Sequence, residues 1–152
     1  MRLRIFTITL SILYCFCLAA IGLADFCFMR SREITGEPLK YINTAKILNP
    51  LNSEYYYRKF EILISGNRKM DKSTQIRNER ISLLRKAIEL EPTNPKYHMF
   101  YGLELVRDYS LRTRLTDRLA LLELKRAIAL KPFSRLYLKI LNDYSPSLQS
   151  NP

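Results

Sequence analysis

The sequence predicts an all-α fold, a short solenoid of antiparallel helix pairs preceded by one transmembrane helix. Three observations predict it. A corner built from alanine, proline and tyrosine occurs three times, as Ala45/Pro50/Tyr55, Ala87/Pro92/Tyr97 and Ala127/Pro132/Tyr137. Only 4 glycines stand among the 152 residues, too few for the tight turns of a β-sandwich or for a phosphate-cradling loop. The 20 residues from Ile5 to Ala24 carry no charge.

The first element comes from that uncharged run. A helix of such a length rises about 30 Å, the thickness of a bilayer core. Gly22, Leu23 and Ala24 offer a small-x-small cleavage site, but a secretory signal core runs only about 7–15 apolar residues. An uncleaved anchor over residues 1–30, with residues 5–29 in contact with the membrane, fits better than a removed leader. A cleaved, soluble periplasmic protein is the other reading of the same segment. The three cysteines, Cys15, Cys17 and Cys27, all lie here and are expected to face lipid. The rest of the chain has none, so neither a disulfide framework nor a structural zinc site is expected. Arg2 and Arg4 form a tight basic cluster before the run, with Arg30, Arg32, Lys40 and Lys46 after it. The short N-terminal cluster favours a cytoplasmic N-terminus. The folded part then lies outside the cytoplasm, periplasmic on a bacterial inner membrane.

After a linker at residues 31–37, broken by Gly36 and Pro38, the spacing predicts six helices near 38–48, 53–66, 74–91, 95–109, 115–131 and 134–144. Each corner has the same chemistry. The alanine permits close helix approach and the proline stops the outgoing helix. Two residues later stands Asn52, Asn94 or Ser134, each a good N-cap whose side-chain oxygen takes an orphan helix N–H. Pro95 fits the first helical position, where its missing donor costs nothing. The prolines are 42 and 40 residues apart, a solenoid period, and stacked pairs bury faces that one pair leaves open. The polar tail 145–152, "SPSLQSNP", is expected to be disordered.

These residues resemble the tetratricopeptide repeat family. Tyr101-Gly102 stands at its aliphatic–glycine pair, and Ala120, Leu124, Ala127 and Pro132 match its second-helix pattern. The resemblance spans residues 38–144. The repeats here are six to eight residues longer than the family's, the extra residues falling in "SGNRKMDKST" and "DYSLRTRLT". Phe60 and Asn142 replace the glycine in the outer units, and Arg80 stands where a small residue is usual. The wording "PLNSEYYYR…PTNPKYH" also looks like the helical repeats of O-antigen ligase and polymerase-type membrane proteins. The tetratricopeptide resemblance implies a groove lined by the first helix of each pair. Here that groove would present Tyr57 and Glu61 from one helix and Lys96, Met99, Leu103 and Val106 from the next. Tyr57 and Glu61 occupy positions where some family members clamp a C-terminal carboxylate, so capture of chaperone tails is not implied.

Catalysis is not expected. The one histidine, His98, has no carboxylate or cysteine at triad or ligand spacing, and a packing role is expected of it. Glu89, Glu91, Glu104 and Glu123 alternate with bases, as on solvated helix faces. No cofactor or metal is expected. Lys and Arg exceed Asp and Glu by 25 to 14, a net charge of +11. Arg68, Lys69, Lys72, Arg112 and Arg114 would form a basic rim, suited to anionic lipid near the anchor. Nucleic acid is disfavoured, because no aromatic interleaving or reader motif accompanies the bases. The expected role is a membrane-anchored scaffold that binds a protein or peptide partner, in envelope polysaccharide or secretion assembly. The alternative is a cytoplasm-facing basic adaptor for RNA or anionic lipid.

Overall fold

A computed structural model describes residues 2–33, 37–65, 74–107 and 113–149, with side chains described between 8 and 144 of these. Among the described residues there are seven helices and no strand: α1 Arg2–Arg30, α2 Pro38–Leu48, α3 Ser53–Ser65, α4 Thr74–Leu90, α5 Pro95–Val106, α6 Arg114–Leu130 and α7 Arg135–Gln149. The expected order of elements is reproduced. Two helix ends differ. α5 stops at Val106 rather than 109, and α7 runs on through residues 145–149, which the composition assigns to a tail. Pro146 sits inside α7. The backbone bond a proline cannot donate there belongs to the carbonyl of Asn142, an exposed residue with access to water.

All three expected caps form. The side chain of Asn52 accepts from the Glu54 N–H at 3.1 Å, that of Asn94 from the Lys96 N–H at 3.2 Å, and that of Ser134 from the Tyr137 N–H at 3.4 Å. The tyrosine of each joint, Tyr55, Tyr97 or Tyr137, is buried. α6 adds a reciprocal cap. Thr113 accepts from the Thr116 N–H while the Thr116 hydroxyl accepts from the Thr113 N–H.

The chain forms two compact units, Met1–Ile62 and Leu63–Pro152. In the first unit the end of α1 is part of the core. Ala24, Cys27 and Ser31, spaced three and four apart, are all buried. Ala24 and Cys27 pack with Ile42 and Ala45 of α2 and Tyr55 and Ile62 of α3, flanked by Phe28 and Leu48. Cys27 therefore faces protein rather than lipid, whereas Cys15 and Cys17 are exposed. Two polar links fix α3 against α1. The Tyr55 hydroxyl donates to the Asp25 carboxylate, and Arg58 Nη2 donates to the Ser31 carbonyl at 2.9 Å. α3 thus runs in the same sense as the end of α1, with α2 antiparallel to both. Burial, then the bond to Asp25, pushes the Tyr55 phenol up to about 12.

In the second unit α5 is central, packed on α4 and α6, and α7 packs on α6. Its buried apolar residues include Leu83, Leu84, Ala87, Tyr97, Leu105, Ala120, Leu124 and Ala127. Gly102 sets the α5–α6 approach. A methyl group there would lie 2.9 Å from Leu124 Cγ and 3.1 Å from the Ala120 carbonyl oxygen.

Candidate partner-binding groove

α5 begins at the Asn94 cap with Pro95 in its first turn, and its apolar residues run nearly all round. Neighbours therefore decide which side stays open. Gly102 draws one side onto α6. The other borders a cavity of about 390 Å³, lined by Phe100, Leu103 and Val106 of α5, Ile64 at the end of α3 and Tyr144 of α7, with Glu104 and Arg107 at its edge.

The groove residues expected from the sequence divide between the two units. In the first, Tyr57 is buried and Glu61 half-buried, the latter paired with Arg58 at 3.2 Å. In the second, Lys96 and Leu103 are half-exposed, while Met99 and Val106 are buried. Tyr57 and Met99 are thus packed inside rather than open, a correction to the expected face, while Val106, though buried, still lines the cavity. The open line of α5 is Lys96, Phe100, Leu103 and Arg107, at steps of four, three and four. Those steps trace one stripe of an α-helix, shifted by one residue from the expected stripe at two positions. Phe100 is the residue that sequence reasoning misses. It is indistinguishable by composition within "YHMFYG", and only the direction of the α6 contact separates it from Met99. Of the expected basic rim, Arg114 is exposed at the start of α6. Arg68, Lys69, Lys72 and Arg112 lie outside the described residues.

Charge beside this groove is organised by a buried pair. Arg80 Nε lies 3.0 Å from Glu104 Oε2, both side chains almost fully buried, and Arg107 Nη1 donates to Glu104 Oε1 at 3.1 Å. Arg77 Nη2 donates to the Leu105 carbonyl at 3.2 Å. Two guanidinium groups on one carboxylate leave the edge locally positive. Glu104, expected on a solvated face, is instead the acid that lets Arg80 occupy the place of a small residue.

A second polar chain crosses α5 and α6. His98 Nε2 lies 2.8 Å from the Pro92 carbonyl, Nδ1 lies 2.5 Å from Glu123 Oε2, and Arg126 Nη1 donates to Glu123 Oε1 at 3.3 Å. A carbonyl only accepts, so the hydrogen of the Pro92 contact belongs to Nε2. His98 and Glu123 are both buried. Glu123 is therefore no surface acid, and His98 does have a carboxylate neighbour, supplied from 25 residues away. His98 itself lines a smaller cavity of about 330 Å³, with Ile88, Pro92, Arg126, Ala129 and Leu130. Among the described residues no cluster of three metal-ligating side chains occurs.

Among solved structures the chain resembles a mutant O-GlcNAc transferase from Thermobaculum terrenum, with a TM-score of 0.53 at 20% identity over 84% of this chain. That neighbour contains tetratricopeptide repeats. The fold is tetratricopeptide-like. The chain covers 22% of the transferase, and at this identity the likeness concerns architecture alone. No protein-family model matches the chain, and no curated protein matches it. In tetratricopeptide-like terms α5 is a first helix and α6 a second helix. α5 carries the tyrosine and the glycine of the pattern, and α6 carries its alanines.

Proposed function

We propose that this chain is a membrane-anchored docking module that holds a protein or peptide partner beside a bilayer. Its partner-binding face is the stripe Lys96, Phe100, Leu103 and Arg107 with Tyr144 opposite. The observation that carries the docking role is the roughly 390 Å³ apolar cavity with a positive edge on a tetratricopeptide-like fold. Repeats of this kind present such faces to other proteins, and an anchor adds avidity by confining the search to the membrane surface. We read the module as non-catalytic, and its setting as envelope polysaccharide or secretion assembly in a bacterial inner membrane.

Anchoring is supported by α1. Ile8, Leu13, Tyr14, Phe16 and Leu18 are each more than half exposed, which in water would be a large apolar surface without cover. A helix of 29 residues is about 43 Å long, whereas a bilayer core needs about 30 Å. The surplus matches the part beyond Leu23 that packs into protein. Cleavage after Ala24 would cut an unbroken helix at a fully buried residue, which favours retention of the anchor.

Pull-down from detergent-solubilised membranes tests the face. Leu103→Glu is expected to release the partner while helicity by circular dichroism is kept. An unfolded variant would assign Leu103 to the core and remove it from the face. Orientation is tested by fusing alkaline phosphatase or a fluorescent protein after residue 152. The proposed topology gives phosphatase activity and a dark fluorescent protein. The reverse would overturn it and favour the cytoplasm-facing adaptor for anionic lipid or RNA.

A further inference from the structure

Ile47 is 81% exposed and Leu51 is 77% exposed, more than any described apolar side chain of α1. They bracket the α2–α3 turn, and their position relative to α1 gives them a use. α2 returns antiparallel along the end of α1, so its last turn points back toward the membrane-spanning part. The register is fixed by contacts within the first unit. Ile42 and Ala45 share one buried cluster with Ala24 and Cys27. Tyr55, in the first turn of α3, reaches Asp25 and Phe28, and Arg58 reaches Ser31. Leu51 precedes Tyr55 by four residues, which brings the turn level with about residues 20–24 of α1. Ala20, half-buried on an otherwise exposed stretch, marks the same level.

That level is where the uncharged run of α1 ends. Phe26 and Met29, farther along, are still 55% and 58% exposed, so apolar surface on α1 continues past the height of the turn. The turn therefore does not stand clear of the bilayer. Its remaining side chains suit the headgroup layer. Lys46 Nζ lies 4.5 Å from the centroid of the Tyr56 ring, and the Tyr56 hydroxyl donates to the Pro50 carbonyl at 3.0 Å. Tyrosine and lysine favour this layer because each has an apolar body and a polar tip.

We infer that the α2–α3 turn is a second membrane contact, a foot whose Ile47 and Leu51 enter the leaflet that α1 leaves, with Lys46 and Tyr56 among the headgroups. The inference rests on the reading of α1 as a membrane anchor. One helix alone leaves the tilt of the unit loosely set. Two apolar side chains beside it constrain that tilt, holding the α2–α3 side of the first unit down on the bilayer.

The chain contains no tryptophan, so single-tryptophan variants report without background. Leu51→Trp, Leu39→Trp and Phe16→Trp are made in the full chain and reconstituted into vesicles of phosphatidylcholine with a minority of phosphatidylglycerol. Leu51 is mostly exposed, so its replacement leaves the core of the first unit intact, which circular dichroism checks. Interfacial side chains sit roughly 5–10 Å into the headgroup and acyl boundary. Leu51→Trp is therefore expected to be blue-shifted and to lose about half its emission to lipids brominated near the carbonyl end of their chains. Leu39→Trp, at the far end of α2, is expected to be unquenched. Phe16→Trp is expected to be quenched most by lipids brominated deeper in the chain. Quenching at Phe16 without quenching at Leu51 overturns the foot and leaves the anchor standing. No quenching at either removes both. A blue shift at Leu51 without lipid quenching overturns the foot in favour of a second copy or another protein covering the turn, the former if it grows with protein-to-lipid ratio.

Discussion

At Gly102 two residue-scale effects oppose each other. Alanine is the better helix former by about 1 kcal/mol, but its methyl group would press on Leu124 Cγ and a backbone oxygen. A branch carbon and a carbonyl cannot swing aside, and overpacking of this kind costs about 1–3 kcal/mol. Gly102→Ala is therefore expected to lower stability by about 1 kcal/mol net, read as a lower urea midpoint with an unchanged slope. Tyr55 makes a different prediction. Its phenol is raised to about 12, so the folded state favours the protonated form. The corresponding stability is complete below about pH 10, the unfolded value, and is lost as pH rises through 12. Tyr137 is raised by burial as well. An ultraviolet phenolate titration should show a late step, and Tyr55→Phe should remove part of it. If all tyrosines ionise together, the Asp25–Tyr55 bond is absent in solution.

At the scale of elements, local chemistry is legible in the chain and partner choice is not. The caps at Asn52, Asn94 and Ser134 need only neighbours two or three residues away, so their spacing marks the helix starts. Asn94→Ala is expected to cost about 1 kcal/mol, measured as a fall in thermal midpoint. The Arg80–Glu104 and His98–Glu123 pairs join residues 24 and 25 apart on different helices. Nothing near Glu104 in the chain distinguishes it from an exposed acid such as Glu89. Only the packing of α4 on α5 does. Removing one partner of a buried pair strands the other charge and costs about 3–5 kcal/mol, whereas replacing both by apolar residues of similar size is often close to neutral. Glu104→Leu alone should therefore destabilise the second unit more than Glu104→Leu with Arg80→Met, as a double-mutant cycle in urea would show. The same limit explains the face of α5. Its helical stripe is readable to within one residue, and the choice between Met99 and Phe100 depends on which neighbour it meets.

For the whole molecule, the all-helical repeat is evident from three alike joints, but the packing of the end of α1 is not. Charge and hydropathy mark Asp25 as the end of the apolar run. They cannot show that Ala24, Cys27 and Ser31 form the inner stripe of a helix with a second task. Under the proposed topology this stripe ties extraction to unfolding. Force that drags α1 out of the bilayer, as a membrane protease or unfoldase would apply, must also strip Ala24 and Cys27 from Ile42, Ala45 and Tyr55. The resistance to removal then comes from a protein interior as well as from lipid, and weakening that interior should shorten the lifetime of the anchored chain.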